Sequence, residues 1–109
     1  MLIYTQQANE DLSQILAGLI SFRINGASIP ALATEHAEAV FDDITDHITA
    51  IPEYPFHHRN TFEGLERYGQ YVYTYKRNRT NWYAFYDKVD DDYIVRRITN
   101  NWNVLLPRL

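Results

Sequence analysis

The stretch YVYTYKRNRTNWYAFYDKVDDDYIVRRIT, residues 71–99, decides the fold. Aromatic and β-branched residues dominate three short runs, and each gap between them is made of turn formers. Tyr71–Lys76 predicts one strand, Arg77-Asn78-Arg79-Thr80 a turn, and Trp82–Lys88 a second strand. Asp90-Asp91-Asp92 predicts another turn and Tyr93–Thr99 a third strand. Strands joined by such short turns form an antiparallel meander.

Upstream, the apolar period changes from two to about 3.6. Ala8, Leu12, Ile15, Leu16, Leu19 and Ile20 form one helical stripe, with Thr5 placed to cap it and Glu10 and Asp11 read into its first turn. Asn25-Gly26 interrupts the pattern. A second helix begins near Pro30, behind Ser28 or Ile29, and carries Ala33, Ala37, Val40, Phe41, Ile44, Ile48 and Ile51 on one side. Glu35, Glu38, Asp42, Asp43 and Asp46 fall largely off that stripe, and Pro52 and Pro55 close the helix. Met1–Thr5 reads as a short opening strand, and residues 56–68 as a loop or short turn with His57-His58-Arg59-Asn60 as its polar part. The expected fold is α+β in a single domain, 1–109: strand, two-helix hairpin, three-stranded antiparallel meander, with the helices on one face of the sheet.

Composition narrows the chemistry. The chain has no cysteine, which excludes disulfides, thiolate metal sites and thiol catalysis. It has no signal-peptide pattern and no apolar run of about 18 residues, so a cytoplasmic protein without a membrane partner is expected. Net charge is −4, against a general nucleic-acid binder. Its distribution is uneven: residues 1–56 hold one base, Arg23, against eight acids, and residues 57–109 hold nine Lys/Arg against six acids. From Arg67 to Tyr86 there are four bases and no acid, interleaved with eight aromatic residues. That mixture suits single-strand stacking or protein hot spots, and it is also ordinary strand composition.

No metal site or cofactor is expected. His57 and His58 are adjacent, and His36 and His47 are eleven residues apart, about 16 Å along a helix. Asp90-Asp91-Asp92 lacks the spacing and distal glutamate of a calcium loop. Arg96 and Arg97, neighbours in a strand, are expected on opposite faces, one solvated and one paired with a helix acid.

The order and length of these elements resemble the RelE/ParE toxin superfamily. The resemblance covers residues 2–102 and is carried by Tyr4 through Ile15, by the helix ending Ile48-x-x-Ile51-Pro52, and by the closing meander. It implies the toxin of a two-gene toxin–antitoxin system, with a small antitoxin as first partner. RelE-like members cut messenger RNA on the ribosome, and ParE-like members poison DNA gyrase. The ribonucleases carry an arginine in a pattern like Gly-Tyr-Arg-hydrophobic-hydrophobic-Tyr. The matching stretch is Asn81-Trp82-Tyr83-Ala84-Phe85-Tyr86, so Tyr83 stands at the arginine. Thr99-Asn100-Asn101-Trp102 likewise lacks the family's closing His or Arg. The leading expectation is therefore a toxin-like protein that binds another protein in the ParE manner through Arg77, Arg79, Trp82, Arg96 and Arg97. The alternatives are a ribosome-dependent, metal-independent endoribonuclease with a rearranged site drawn from Arg79, Arg96, His57 and His58, and a non-toxic accessory module on the same fold.

Overall fold

The computed structural model describes residues 1–26, 30–77 and 80–101, and the side chains of these apart from 20–26 and 30–34. Six principal elements follow in order: β1 (Leu2–Tyr4), α1 (Gln6–Gly26), α2 (Pro30–Thr49), β2 (Tyr71–Arg77), β3 (Thr80–Val89) and β4 (Asp92–Asn100). Single 3-10 turns sit at Ile51–Glu53 and Glu66–Tyr68. The α+β class and the meander β2-β3-β4 are as expected. The whole sheet, however, is mixed rather than antiparallel, in the order β1-β4-β3-β2, because β1 pairs parallel with β4. Two helices separate β1 from the meander, and such a crossover brings a strand back parallel to its neighbour.

Thr5 caps α1 as read: its Oγ1 accepts the Ala8 N–H at 3.1 Å. The helix then starts at Gln6, which leaves Glu10 and Asp11 beyond its first turn. The expected dipole role for those acids is thus corrected, and Asp11 has other work. Ala8 of α1 and Val40, Ile44 and Ile48 of α2 pack with Ile51 on Trp82, Ala84, Tyr86, Val95 and Ile98 of the sheet. Pro52 falls in the 3-10 turn that closes α2. The Ser28/Ile29 cap lies outside the described residues, as do Asn78 and Arg79 of the first turn and the tail from Trp102.

The segment 56–68 is more than a connecting loop. It passes the open edge of β2, where Arg59 bridges Tyr71 and Val72 donates its N–H to the His58 carbonyl at 2.9 Å. It then covers the sheet face that the helices leave bare. There Leu65, Tyr68, Val72, Tyr83 and Phe85 form a second small core, with Phe62 packed on it. Asn60 ties this segment together: its Nδ2 donates to the carbonyls of Leu65 and Gly69, and its Oδ1 accepts the Phe62 N–H. Gly69 then passes so close to β3 that a Cβ would stand 2.8 Å from the Tyr86 backbone nitrogen. No larger residue fits there without moving the strand.

The β3–β4 ladder contains an irregularity. Phe85 pairs with Arg97, but the next residue, Tyr86, pairs with Val95, so Arg96 is the extra residue of a bulge. Val95 and Ile98 both point into the helix-side core, and the two arginines between them share the other face. The expectation of opposite faces fails for this reason. Arg97 nevertheless meets a helix acid, around the edge of β4. β1 ends opposite Val95, so the later part of β4 has no strand on that side. Asp11 of α1, only 5 % exposed, fills the gap: its Oδ2 accepts the Ile98 N–H at 2.9 Å and Arg97 Nε at 2.9 Å. Removing one member of a buried ion pair strands its partner and costs about 3 kcal/mol or more. Asp11→Ala should therefore lower stability by about 3 kcal/mol, read as a lower urea midpoint with an unchanged slope. An equally stable variant would show that α1 does not depend on this contact.

Candidate functional site

Every predicted site residue but Arg79 has a definite place. Trp82 is 6 % exposed, within the helix-side core, because even-numbered residues of β3 face the helices. Arg77 is held by Asp43 of α2, whose same carboxylate oxygen takes the Tyr75 hydroxyl. His47, one helical turn beyond Asp43, stacks on the Tyr75 ring with centroids 3.8 Å apart. The Tyr75 hydroxyl first, and then Arg77, hold the Asp43 carboxyl below the usual carboxylate range. Arg96 pairs with Asp87 at 3.2 Å, and Asp87 also accepts the Gln70 N–H. Arg97 is bound to Asp11, and its guanidinium lies 5.0 Å from the centre of the Tyr68 ring. Arg79 lies outside the described residues. Three of the five predicted binding residues are thus arginines already engaged by acids of the same chain.

The cations left without an acid partner, among the described residues, are Arg59, Arg67, Lys76 and Lys88. Three of them lie over tyrosine rings: Arg59 at 5.7 Å from Tyr71, Arg67 at 5.3 Å from Tyr68, and Lys88 at 5.7 Å from Tyr93. An arginine or lysine on an aromatic face keeps its hydrogen-bond donors free for a partner.

His57 stands among two of these pairs. Its Nδ1 is 2.6 Å from the Tyr86 hydroxyl, and its ring contacts Tyr71, Tyr86 and Tyr93 with centroid distances of 5.2–6.2 Å. The strand alternation explains the convergence. Tyr71 and Tyr86 are partners across β2–β3, and Lys88 and Tyr93 are partners across β3–β4, all on the helix side of the sheet. The chain leaving α2 drops His57 onto the end of that row. Burial first, then the charges of Lys88 and His58, push the imidazole below its ordinary value. Burial also pushes the Tyr86 phenol up to about 12. At neutral pH His57 is therefore an uncharged base beside an un-ionised phenol and an ammonium group. His58, its neighbour, is exposed and joins the structure through its backbone carbonyl.

No group of three metal-ligating side chains occurs among the described residues, and no helix there is long and apolar enough to cross a membrane. Tyr83 is 4 % exposed and meets Phe62 edge-on at 5.3 Å. The residues that sequence reasoning missed are Asp43, His47, Tyr75, Tyr86 and Lys88. Only the four-residue spacing of Asp43 and His47 hints at any of them, since the rest converge through sheet register. No protein-family model matches the chain, and neither a curated protein nor a solved structure matches it.

Because folded His57 resists protonation, the unfolded chain takes up that proton first. Its contribution to stability is full above pH 6.5 and is lost as pH falls below that value. A proton-NMR titration should place the His57 midpoint below 6.5, and Lys88→Gln should move it upward. A midpoint at or above 6.5 in the unaltered protein would contradict this environment.

Proposed function

We propose that this chain is a toxin-like protein of the RelE/ParE type, acting by binding another protein in the manner of the gyrase-directed members and held silent by a small antitoxin. The observation that carries the reading is Tyr83. The position that supplies an arginine to the family's ribonucleases here holds a phenol, packed under Phe62 and Phe85 in the second core. Phosphodiester cleavage without a metal needs cations around the developing phosphorane charge. Arg77, Arg96 and Arg97 are engaged by Asp43, Asp87 and Asp11 instead. Arg59 and Lys88 sit on Tyr71 and Tyr93 of the helix-side face, and Arg67 sits on Tyr68 of the opposite face, each pair having the side-chain mixture of protein–protein hot spots.

A second reading keeps the ribonuclease. His57, uncharged and flanked by Tyr86 and Lys88, has the chemistry of a general base beside a proton donor and a phosphate-binding cation. The two readings separate in cells. After induction of the chain alone, incorporation of labelled thymidine should fall before that of labelled amino acids, and His57→Ala should leave this fall unchanged. Protein synthesis falling first, with new messenger-RNA ends lost in His57→Ala, would establish the ribonuclease reading instead. Continued growth with neither label affected would remove both and favour the accessory module.

A further inference from the structure

The two edges of the sheet are treated differently. The β2 edge is guarded: Arg59 bridges it at Tyr71, the His58 carbonyl takes the Val72 N–H, and Lys76 and Arg77 charge its far end. Charged side chains and covering loops are the usual means of keeping a sheet edge from pairing with another chain. Among the described residues the β1 edge has neither. It reads Leu2-Ile3-Tyr4, without charge or proline.

Its register shows which groups are free. Tyr93 donates its N–H to the Met1 carbonyl at 2.8 Å, and Thr5 donates to the Val95 carbonyl at 3.0 Å. In a parallel pair this alternation turns Met1, Ile3 and Thr5 toward β4 and leaves the amide groups of Leu2 and Tyr4 pointing away from the sheet. Leu2 and Tyr4 pack their side chains on the helix-side core, so Ile3 stands on the other face, 40 % exposed. Met1 and Val89, also exposed, lie at the same end of the sheet, Val89 being paired with Asp92 and Met1 bonded to the turn beside it.

We propose that β1 pairs antiparallel with β1 of a second copy of this chain, joining two four-stranded sheets into one of eight strands. The edge is complementary to itself. A two-fold axis through Ile3 sets Leu2 of each copy opposite Tyr4 of the other, and these are the residues whose amides point outward. They form the hydrogen-bonded pairs, and Ile3 meets its own copy at the closer, non-hydrogen-bonded position. Charge also matches. The acidic turn Asp90–Asp92 lies beside Met1, and the antiparallel arrangement brings it toward the start of the other copy's α1, which follows Thr5. Helix N-termini favour negative charge. This pairing is independent of whether the chain acts as a toxin.

The chain has no cysteine, so Ile3→Cys introduces a single thiol at the two-fold axis. Residues in a non-hydrogen-bonded antiparallel pair are about 4.5 Å apart at Cα, within the roughly 4.4–6.8 Å span of a disulfide. Mild oxidation of purified Ile3→Cys should yield a disulfide-linked dimer, whereas Lys76→Cys on the guarded edge should stay largely monomeric. The unaltered chain should sediment at twice 12.9 kDa, and Ile3→Lys, which sets two ammonium groups face to face, should sediment at the single-chain mass with an unchanged circular dichroism spectrum. A single-chain mass for the unaltered protein, equal cross-linking at both positions, or a dimer that survives Ile3→Lys would overturn the proposal. So would an unaltered chain whose β1 edge is occupied by a strand of a different protein.

Discussion

Asp11 stands where a strand would otherwise be. β4 is nine residues long, and β1 accompanies only three of them. Past Val95 the backbone of β4 faces α1, and an amide left there without a partner would carry a full desolvation cost. One carboxylate resolves this by taking the Ile98 N–H and the Arg97 side chain on the same oxygen. Gln7, a turn earlier on the helix, donates to the other oxygen. Arg97 then reaches Tyr68 of the loop that closes the far face. The helical layer, the sheet edge and the outer loop are thus joined through one ion pair, and the bulge at Arg96 is what gives Arg97 the side of the sheet from which it can serve all three.

The elements themselves were legible because they rest on local chemistry. Periodic apolar residues, Thr5, Pro30 and Pro52, and the acidic turn each act within a few residues of where they stand. The parallel pairing of β1 was not legible, since no short-range signal records which strand a returning chain meets. The bulge was equally silent. Arg96-Arg97 reads as simple alternation until Val95 and Ile98 are seen to face the same core. The second core was missed for a different reason: Phe62, Leu65 and Tyr68 are spaced too irregularly, among polar residues, to give a period.

The site was legible in kind more than in arrangement. His57 was a candidate by residue type alone, and its partners Tyr86, Tyr93 and Lys88 converge on it only through the register of three strands. The arginines stood out by charge, yet charge in a sequence does not reveal which acid will claim it. Asp11, Asp43 and Asp87 come from α1, α2 and β3, remote in sequence from Arg97, Arg77 and Arg96 in two of the three cases.

The two-sided burial of β3 bears on how this chain finds its alignment. From Trp82 to Tyr86 five consecutive side chains are buried, alternately in one core and the other. In a sheet wetted on one side, a slip of one residue turns every apolar group outward and is rejected at once. Here the same slip would exchange one apolar interior for another, so hydrophobicity discriminates poorly between alignments. Discrimination falls to features at the margins of the strand: the gap that only Gly69 leaves beside Tyr86, the Asp87 carboxylate that must meet the Gln70 amide, and Asp90, whose positive φ of 55° fixes the hairpin corner. A handful of unremarkable polar and small residues thus acts as the ruler against which the apolar strand is measured.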